Sequence, residues 1–219
     1  EVYNTTPRDE VIILAKTNDD KISGIAVPKR TGELFPESQA EGFRITINMS
    51  GREILWLIGA DERGVIFAIG QFLRSAELSM KKISFNNSNE IASAPVYQIR
   101  GHQIGYRNTA NSWDAWSVGQ YEQYIRELAL FGSNCIENIP FQDGPLGPNM
   151  KVPRDEMNNS MSTICNNYGL GYWVWTPADV DLSDSVKFRD EVKRHADFYK
   201  LCPRLDGVFF PGGDPGNNH

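Results

Sequence analysis

The spacing of hydrophobic positions first predicts a small sheet. Three runs near the amino terminus have the alternation or the apolar density of β-strands, and they span residues 10–16, 42–49 and 52–60. In the second run, every other side chain is apolar, at Phe43, Ile45, Ile47 and Met49. This strand is therefore expected to turn one face toward a core.

The spacing becomes helical over residues 61–78. Apolar side chains recur there at Val65, Ile69, Phe72 and Leu73. Asp61 stands where a side chain can cap the first turn and where negative charge favours the helix dipole. Because one amphipathic helix can cover one face of a small sheet, residues 1–94 are predicted to form an α+β domain.

The hydrophobic pattern changes after Pro95, which disfavours helix at Ala94 and follows a run rich in Asn and Ser. From there, strands and helices alternate. The predicted strands are 97–106, 134–141, 171–178 and 206–213, and the predicted helices are 117–132, 153–169 and 184–203.

Local signals in these helices support the assignment. Each has an apolar stripe, for example Tyr121, Tyr124, Ile125 and Leu128, or Val186, Val192, Ala196 and Tyr199. Helix ends are marked by Gly132, Gly169 and Pro203. Such alternation predicts a parallel sheet with crossover helices over residues 95–219. This sheet is either a small open sheet or half of a (β/α)8 barrel, which takes about 250 residues in full.

Charge and composition limit the classes of binding partner that the chain can have. The formal net charge is −6 and no run is rich in Lys or Arg, which argues against nucleic acid or an anionic membrane surface as the partner. No apolar run approaches the roughly 18 residues of a membrane span. The three cysteines, Cys135, Cys165 and Cys202, lie in or beside apolar segments, so buried thiols are expected, with a single disulfide as the alternative.

Polar and aromatic residues gather where the predicted parallel strands end, which is where such sheets place their chemistry. They are Arg100, His102 and Gln103, then Trp113 and Asp114, then Glu137 and Asn138, then Trp173, Trp175, Asp179 and Asp181, and finally Asp214, Asn217 and His219. Indole rings stack on the C–H faces of sugars, and carboxylates, amides and guanidinium groups bind hydroxyls. The set is typical of a carbohydrate site.

Plainer roles exist for several of these residues. Trp173 and Trp175 share one strand face and also suit a core, Asp179 and Asp181 suit helix caps, Arg100 suits a buried ion pair and His102 suits a strand core. His195 lies among charged residues of a predicted helix and is expected on the surface. A metal site from His102, Glu137, Asp214 and His219 has no short ligand spacing in its favour, so neither a metal nor a cofactor is predicted.

Residues 40–105 resemble a segment of family-20 β-hexosaminidases and family-67 α-glucuronidases. The shared features are Asp61, Arg63 and Gly64 at a helix start, then Pro95, then Arg100 and Gly101 opening the barrel. Residues 111–116 (NSWDAW) also resemble the loop after the first strand of α-glucuronidases. The resemblance implies an α/β fold, in which a small α+β domain (1–94) precedes a partial TIM (β/α)8 barrel of about four βα units (95–219).

The same resemblance implies roles for single residues. In the hexosaminidase pattern the arginine of the first barrel strand grips sugar hydroxyls, which points to Arg100. The fourth strand of that family ends in Gly-Gly-Asp-Glu, where the aspartate positions the acetamido group and the glutamate is the general acid. Here Gly212, Gly213 and Asp214 are followed by Pro215, so the acid is missing, and the paired aspartates of family-84 enzymes are absent too.

The resulting hypothesis is the amino-terminal portion of a glycoside hydrolase acting on a hexosaminide or glucuronide. Asp214 is the expected catalytic residue, and the expected substrate-binding residues are Arg100, His102, Trp113, Asp114, Glu137, Trp175, Asp179 and Asn217. A later carboxylate would complete catalysis. The portion itself is expected either to associate with a second copy through exposed half-barrel surfaces or to have its fourth unit stabilised in another way. By analogy with sugar-degrading relatives, it is expected to be periplasmic or secreted. The rival hypothesis is a non-catalytic carbohydrate-binding protein that has lost the acid at Pro215.

Overall fold

A computed structural model describes residues 11–31, 35–48, 53–80, 82–85, 90–104, 115–138, 151–178 and 180–211. The chain divides into two compact units, residues 1–98 with 129–132, and residues 99–128 with 133–219. Within the described ranges, every helix is too short or too polar to cross a membrane.

The first unit is a mixed sheet with one helix. Its elements are β1 (Val11–Lys16), β2 (Lys21–Ile22), β3 (Ile25–Ala26), a 3-10 turn (Pro36–Ser38), β4 (Phe43–Asn48), β5 (Ile54–Gly59), α1 (Glu62–Ser75), β6 (Glu77–Ser79), β7 (Lys82–Ser84) and β8 (Ile91–Ser93). The main sheet has the order β1-β5-β4-β8, with β1 parallel to β5 and the other pairs antiparallel. The three predicted strands and the helix are confirmed.

Helix α1 packs on the sheet with a stripe that matches the predicted one only in part, at Ile69 and Phe72. Asp61 caps it as expected, since its carboxylate accepts a hydrogen bond from the Gly64 amide at 2.9 Å. Phe67, Ala68 and Phe72 are buried, whereas Leu73 is 43% exposed. The cause is close packing at Gly64, where a Cβ would lie 2.3 Å from the Gly42 carbonyl oxygen, so this side of the helix turns to the sheet.

The first unit also contains an ionic network that the sequence did not reveal. Glu37 and Arg44 are both buried, and Arg44 Nε lies 2.9 Å from Glu37 Oε1. Arg44 also bonds Glu90 Oε2 at 3.1 Å and the Pro28 carbonyl oxygen at 2.6 Å. Arg30 pairs with both carboxylates. Burial lowers the pKa of Arg44, and the Glu37 carboxylate opposes this. The four charges sum to zero, as buried charges require.

The second unit is a parallel sheet with helices. Its elements are β9 (Gly101–Ile104), α2 (Val118–Leu130), β10 (Cys135–Asn138), α3 (Arg154–Asn167), β11 (Gly171–Trp175), α4 (Ser185–Leu201) and β12 (Gly207–Phe209). The strand order is β12-β11-β10-β9 and every pair is parallel. All predicted strands and helices of this part occur, and the prediction of a parallel sheet is confirmed.

All three helices contact the same face of this sheet. The Tyr124 hydroxyl of α2 lies 3.0 Å from His102 Nε2, Asn158 of α3 bonds Asn138 and Tyr172, and the Tyr199 hydroxyl of α4 lies 3.1 Å from Thr176 Oγ1. Because side chains alternate along a strand, neighbouring positions point the other way. We call that opposite face the site face, and its residues are Gly101, Gln103, Cys135, Glu137, Gly171, Trp173, Trp175, Gly207 and Phe209.

Helix α4 corrects two expectations. His195 is only 9% exposed, so its prediction as a surface residue is wrong. Its ring nitrogens lie 3.2 Å from Glu191 Oε1 and 3.1 Å from the Tyr199 hydroxyl, which satisfy it inside the helix packing. Val192, predicted on the buried stripe, is 51% exposed, because the helix turns Glu191, His195 and Phe198 inward instead.

The cysteine prediction is confirmed. Cys135, Cys165 and Cys202 are buried free thiols. Burial raises the pKa of Cys165 to about 12 and the pKa of Cys202 to about 11. Thiols with so little thiolate at neutral pH are structural rather than nucleophilic.

Candidate functional site

The site face holds one row of unlike side chains across all four strands. Gln103 of β9, Glu137 of β10, Trp173 of β11 and Gly207 of β12 are neighbours in the strand register. The row on its amino side holds Gly101, Cys135 and Gly171, and the row on its carboxyl side holds Trp175 and Phe209. The polar side chains of this middle row therefore lie near the carboxyl ends of the strands. A row of small residues lies on their amino-terminal side and a row of aromatic residues on their carboxyl-terminal side.

Glycines shape this face around one indole ring. A Cβ at Gly207 would lie 2.4 Å from a ring carbon of Trp173, and a Cβ at Gly171 would lie 3.3 Å from its Nε1. The indole of Trp173 therefore occupies the space above two neighbouring strands, and no larger residue fits at Gly207. Trp173 is half-buried, so part of its ring faces outward.

Glu137 is the carboxylate of the described site face. It is half-buried, and the Gln103 side-chain amide donates a hydrogen bond from Nε2 to Glu137 Oε2 at 2.8 Å. Burial raises the pKa of Glu137, and the hydrogen bond from Gln103 opposes this by favouring the charged form. Gln103 was named among the polar residues at the predicted strand ends but not among the expected substrate-binding residues, and the structure places it one residue before the end of β9.

Trp175 lies at the carboxyl end of β11, on the site face, and is only 7% exposed. Its register partner is Phe209 of β12. The structure thus brings Trp175 into the same face as Glu137 and Trp173. This burial fits the plainer expectation of a packed aromatic, and the stacking role of Trp175 stays a prediction.

Arg100 lies at the opposite end of the sheet. It precedes β9, and its backbone exchanges two hydrogen bonds with Asn134, the residue before β10. The expectation that Arg100 lies at the carboxyl end of its strand is therefore wrong. Strand register sets this position, and the register depends on pairing with a segment 34 residues away.

His102 lies on the helix side of the sheet rather than on the site face. Its ring meets Tyr124 edge to face at a centroid distance of 5.6 Å, in addition to the hydrogen bond. The structure therefore does not bring His102 together with Glu137, because the sheet separates their side chains. The alternative metal set that needed both residues is not assembled.

Five predicted site residues lie outside the described residues: Trp113, Asp114, Asp179, Asp214 and Asn217. Their expected roles stay predictions. The helix cap before α4 is described, and it is Asp184, whose carboxylate accepts hydrogen bonds from the Val186 and Lys187 amides. The alternative role of Asp181 as that cap is wrong, since Asp181 accepts instead from the Ser183 amide and hydroxyl.

A buried polar cluster lies between the parallel sheet and α3, on the face opposite the site face. Asn138 donates to Asn158 Oδ1, which also accepts from the Tyr172 hydroxyl at 3.3 Å. Burial raises the pKa of Tyr172 well above its usual value. Asn138 is the residue after Glu137, so this cluster fixes the end of β10 where the site carboxylate stands.

Comparison with known proteins gives a fold and no closer relationship. No protein-family model matches the sequence, and no curated protein matches it. The solved structure of CpGH84B matches with a TM-score of 0.55 and 12% identity over 83% of this chain and 32% of that one. The chitobiase of Flavobacterium johnsoniae (FjGH20) matches with a TM-score of 0.53 and 11% identity over 81% of this chain and 32% of that one.

This chain therefore spans about a third of the length of these solved structures. The likeness extends over both units of the chain and not over the parallel sheet alone. The chain shares its fold with part of the glycoside hydrolases of families 84 and 20, including a chitobiase.

Proposed function

We propose that this chain is the amino-terminal portion of a glycoside hydrolase of hexosaminidase type. In this proposal the second unit is the first half of a (β/α)8 barrel, and the sugar binds over the site face at the carboxyl ends of the strands. The observation that carries the proposal is the winding of the parallel sheet, together with the fold shared with family-84 and family-20 enzymes.

The winding favours a barrel over an open sheet. The strands follow one another in space in the order of the chain, and all three helices lie on one face. Crossovers between parallel strands are almost always right-handed, so a sheet that always steps in one direction keeps its helices on one side. Doubly wound sheets instead reverse direction at a switch point and cover both faces. Continued stepping closes into a barrel after eight units.

Exposed apolar surface beside β12 supports a continuation of this winding. Phe188 is 47% exposed and Val192 is 51% exposed on α4. These side chains, with Leu182, Ala178 and Phe210, line a groove of about 300 Å³. In a barrel, the next helix would cover this groove and the next strand would pair with β12. Association with a second copy remains our proposal for the portion when it stands alone.

The site face matches the two kinds of surface that a sugar presents. Glu137 and Gln103 offer hydrogen-bonding groups, and the half-buried Trp173 offers aromatic surface in the same row. Trp175 lies buried in the next row and remains a proposed member of the site. Five further residues remain proposed members of the site, because each comes after the end of a strand along the chain. They are Trp113, Asp114, Asp179, Asp214 and Asn217. We leave Arg100 and His102 out of the proposed site because of where they lie.

Catalysis needs a proton donor as well as a second group. We propose Asp214 as one catalytic carboxylate and place the donor on a later strand, since Pro215 stands where the hexosaminidase pattern has its acid. The location of the enzyme outside the cytoplasm is also a proposal, by analogy with enzymes that degrade glycans. A glucuronide as substrate stays an alternative within the proposal.

The experiment that tests the proposal is hydrolysis of aryl glycosides by the full-length gene product, with a panel that includes N-acetylhexosaminides and glucuronides. We expect cleavage of one glycone class, and we expect Asp214→Asn to lower kcat by at least about 100-fold. Asp190→Asn, an exposed change on α4, is the matched control and should leave kcat unchanged. Cleavage that survives Asp214→Asn would remove Asp214 from the mechanism.

The second candidate function is sugar binding without hydrolysis, and Pro215 is the observation in its favour. It predicts measurable affinity for a glycan and no turnover across the whole panel. Binding without turnover in the full-length protein would decide for this candidate.

A further inference from the structure

Gln103 and Glu137 are paired across two neighbouring strands of the site face, and the proposed function gives this pairing itself no role. We propose that Gln103 is a positioning residue, which holds Glu137 so that the second carboxylate oxygen accepts a hydrogen bond from a sugar hydroxyl. The inference deepens the proposed function and rests on it.

The geometry assigns different tasks to the two carboxylate oxygens. Oε2 of Glu137 accepts from Gln103 Nε2 at 2.8 Å. Among the residues that the structure describes, none donates a hydrogen bond to Oε1. A carboxylate has about four acceptor positions and binds hydroxyls strongly when ionised. One oxygen is therefore fixed by the neighbouring strand and the other is left for a ligand.

The neighbour of this pair on the other side is Trp173, in the same row. Its ring lies over the glycine positions of β11 and β12, as the contacts at Gly171 and Gly207 show. A sugar lying on this row would meet apolar surface beside a hydrogen-bond acceptor. The row therefore suits a ring that has both a C–H face and hydroxyls.

Electrostatics give Gln103 a measurable effect on Glu137. Burial raises the pKa of Glu137, which favours the neutral acid, and the Gln103 hydrogen bond lowers it. Removing the amide donor would leave burial unopposed, so the pKa of Glu137 would rise. A neutral carboxyl group is a weaker acceptor, so sugar affinity would be lost at a higher pH than in the wild type.

A purely structural role predicts something else. Cross-strand pairs stabilise sheets, so Gln103 could serve only to hold β9 beside β10. Removing such a pair would lower stability without moving the pH at which affinity is lost. The pH profile therefore separates the positioning role from the structural one.

The test uses the full-length protein, with N-acetylglucosamine as the probe and affinity measured by calorimetry from pH 4 to 8, a range chosen to bracket the usual pKa of Glu, about 4.3. Gln103→Met keeps the length of the side chain and removes the donor. Gln123→Met is the matched control, because Gln123 also donates to a glutamate, Glu127 at 3.0 Å, but on the exposed side of α2. A ¹³C titration of the Glu137 carboxyl in the ligand-free protein gives its pKa directly.

We expect Gln103→Met to raise the pH at which acidification abolishes sugar affinity (the acid limb of the affinity profile) by about 0.5 to 1 unit. The pKa of Glu137 should rise by the same amount, and Gln123→Met should change neither value. Glu137→Gln should weaken binding by about 10- to 100-fold and flatten the limb. If wild type binds and neither the limb nor the titration moves in Gln103→Met, the positioning role is overturned while the proposed function stands. If wild type does not bind N-acetylglucosamine at any pH, the proposed function of hexosaminidase type fails, and this inference fails with it.

Discussion

Neutralising Glu37 should destabilise the first unit far more than an ordinary surface change. Glu37 is 4% exposed and Arg44 is 5% exposed, and Arg44 Nε lies 2.9 Å from Glu37 Oε1. Glu37→Gln keeps the shape of the side chain and leaves Arg44 and Arg30 with one carboxylate, Glu90, between them. A buried network of balanced charge would then hold one uncompensated positive charge.

The magnitude follows from this count of charges. Breaking a buried ion pair by removing one partner costs about 3–5 kcal/mol. Arg44 keeps Glu90 and the Pro28 carbonyl as acceptors, so we expect the low end of that range, about 3 kcal/mol. With a urea m-value of roughly 1–3 kcal/mol/M, the midpoint should fall by about 1–3 M.

The assay is urea unfolding followed by NMR signals of β4 and β5, with signals of β10 and β11 as a record of the second unit. Lys16→Met, which removes one partner of the exposed pair with Glu62, is the control and should leave the midpoint nearly unchanged. The double change Glu37→Met with Arg44→Met should recover most of the loss, because the pair of Arg30 and Glu90 stays balanced. A loss below about 1 kcal/mol for Glu37→Gln would refute the reasoning.

Three further predictions concern the second unit. Gly207→Val should displace the Trp173 indole, since a Cβ there would lie 2.4 Å from the ring, and near-ultraviolet circular dichroism should record the change; Gly119→Ala, where a Cβ meets nothing within 4 Å, should not alter the spectrum. Native Cys165, with its pKa of about 12, should resist iodoacetamide at pH 8 because almost no thiolate is present, and should react once urea unfolds the chain, as peptide mass spectrometry would show. Asp184→Ala should destabilise α4 by about 1 kcal/mol through loss of the N-cap, whereas Asp181→Ala should cost less, and thermal unfolding followed by circular dichroism would measure both changes.

Helices and strands were predictable from sequence because their signals are local. Helix α3 was expected within residues 153–169 and spans Arg154–Asn167, and Gly169 after it has a positive φ of 66°, as a helix-ending glycine does. The alternation of apolar strands with helices gave the parallel sheet for the same reason. Each of these signals lies within a few residues of the element that it predicts.

The side of a sheet or helix on which an individual side chain lies was less predictable, because it depends on contacts with residues far along the chain. Gln103 and Glu137 are 34 residues apart, and only the register of β9 with β10 joins them. The same register places Arg100 at the amino end of the sheet and turns His102 toward α2. His195 was expected outside because it lies among charges, but Glu191 and Tyr199 supply its partners inside.

The family resemblance predicted more than the residues alone and is supported in its coarser part. The fold is shared with family-20 and family-84 glycoside hydrolases, while the likeness to α-glucuronidases and the division of the chain at residues 94 and 95 into named domains stay predictions. The proposed mechanism depends on Asp214 and Pro215, which lie outside the described residues. The proposed catalytic step therefore rests on sequence pattern, and the proposed binding face rests on the described strands of the second unit.

The most direct test of the central claim is the location of bound sugar in the full-length protein. Indole N–H resonances of Trp173 and Trp175, assigned with Trp173→Phe and Trp175→Phe, should both shift on addition of the glycone that binds, because Trp173 is the register neighbour of Glu137 and Trp175 lies in the next row of the same face. The Trp56 resonance, from the core of the first unit, is the internal control and should not move. Saturable binding that leaves Trp173 and Trp175 unshifted would place the sugar elsewhere and contradict the account.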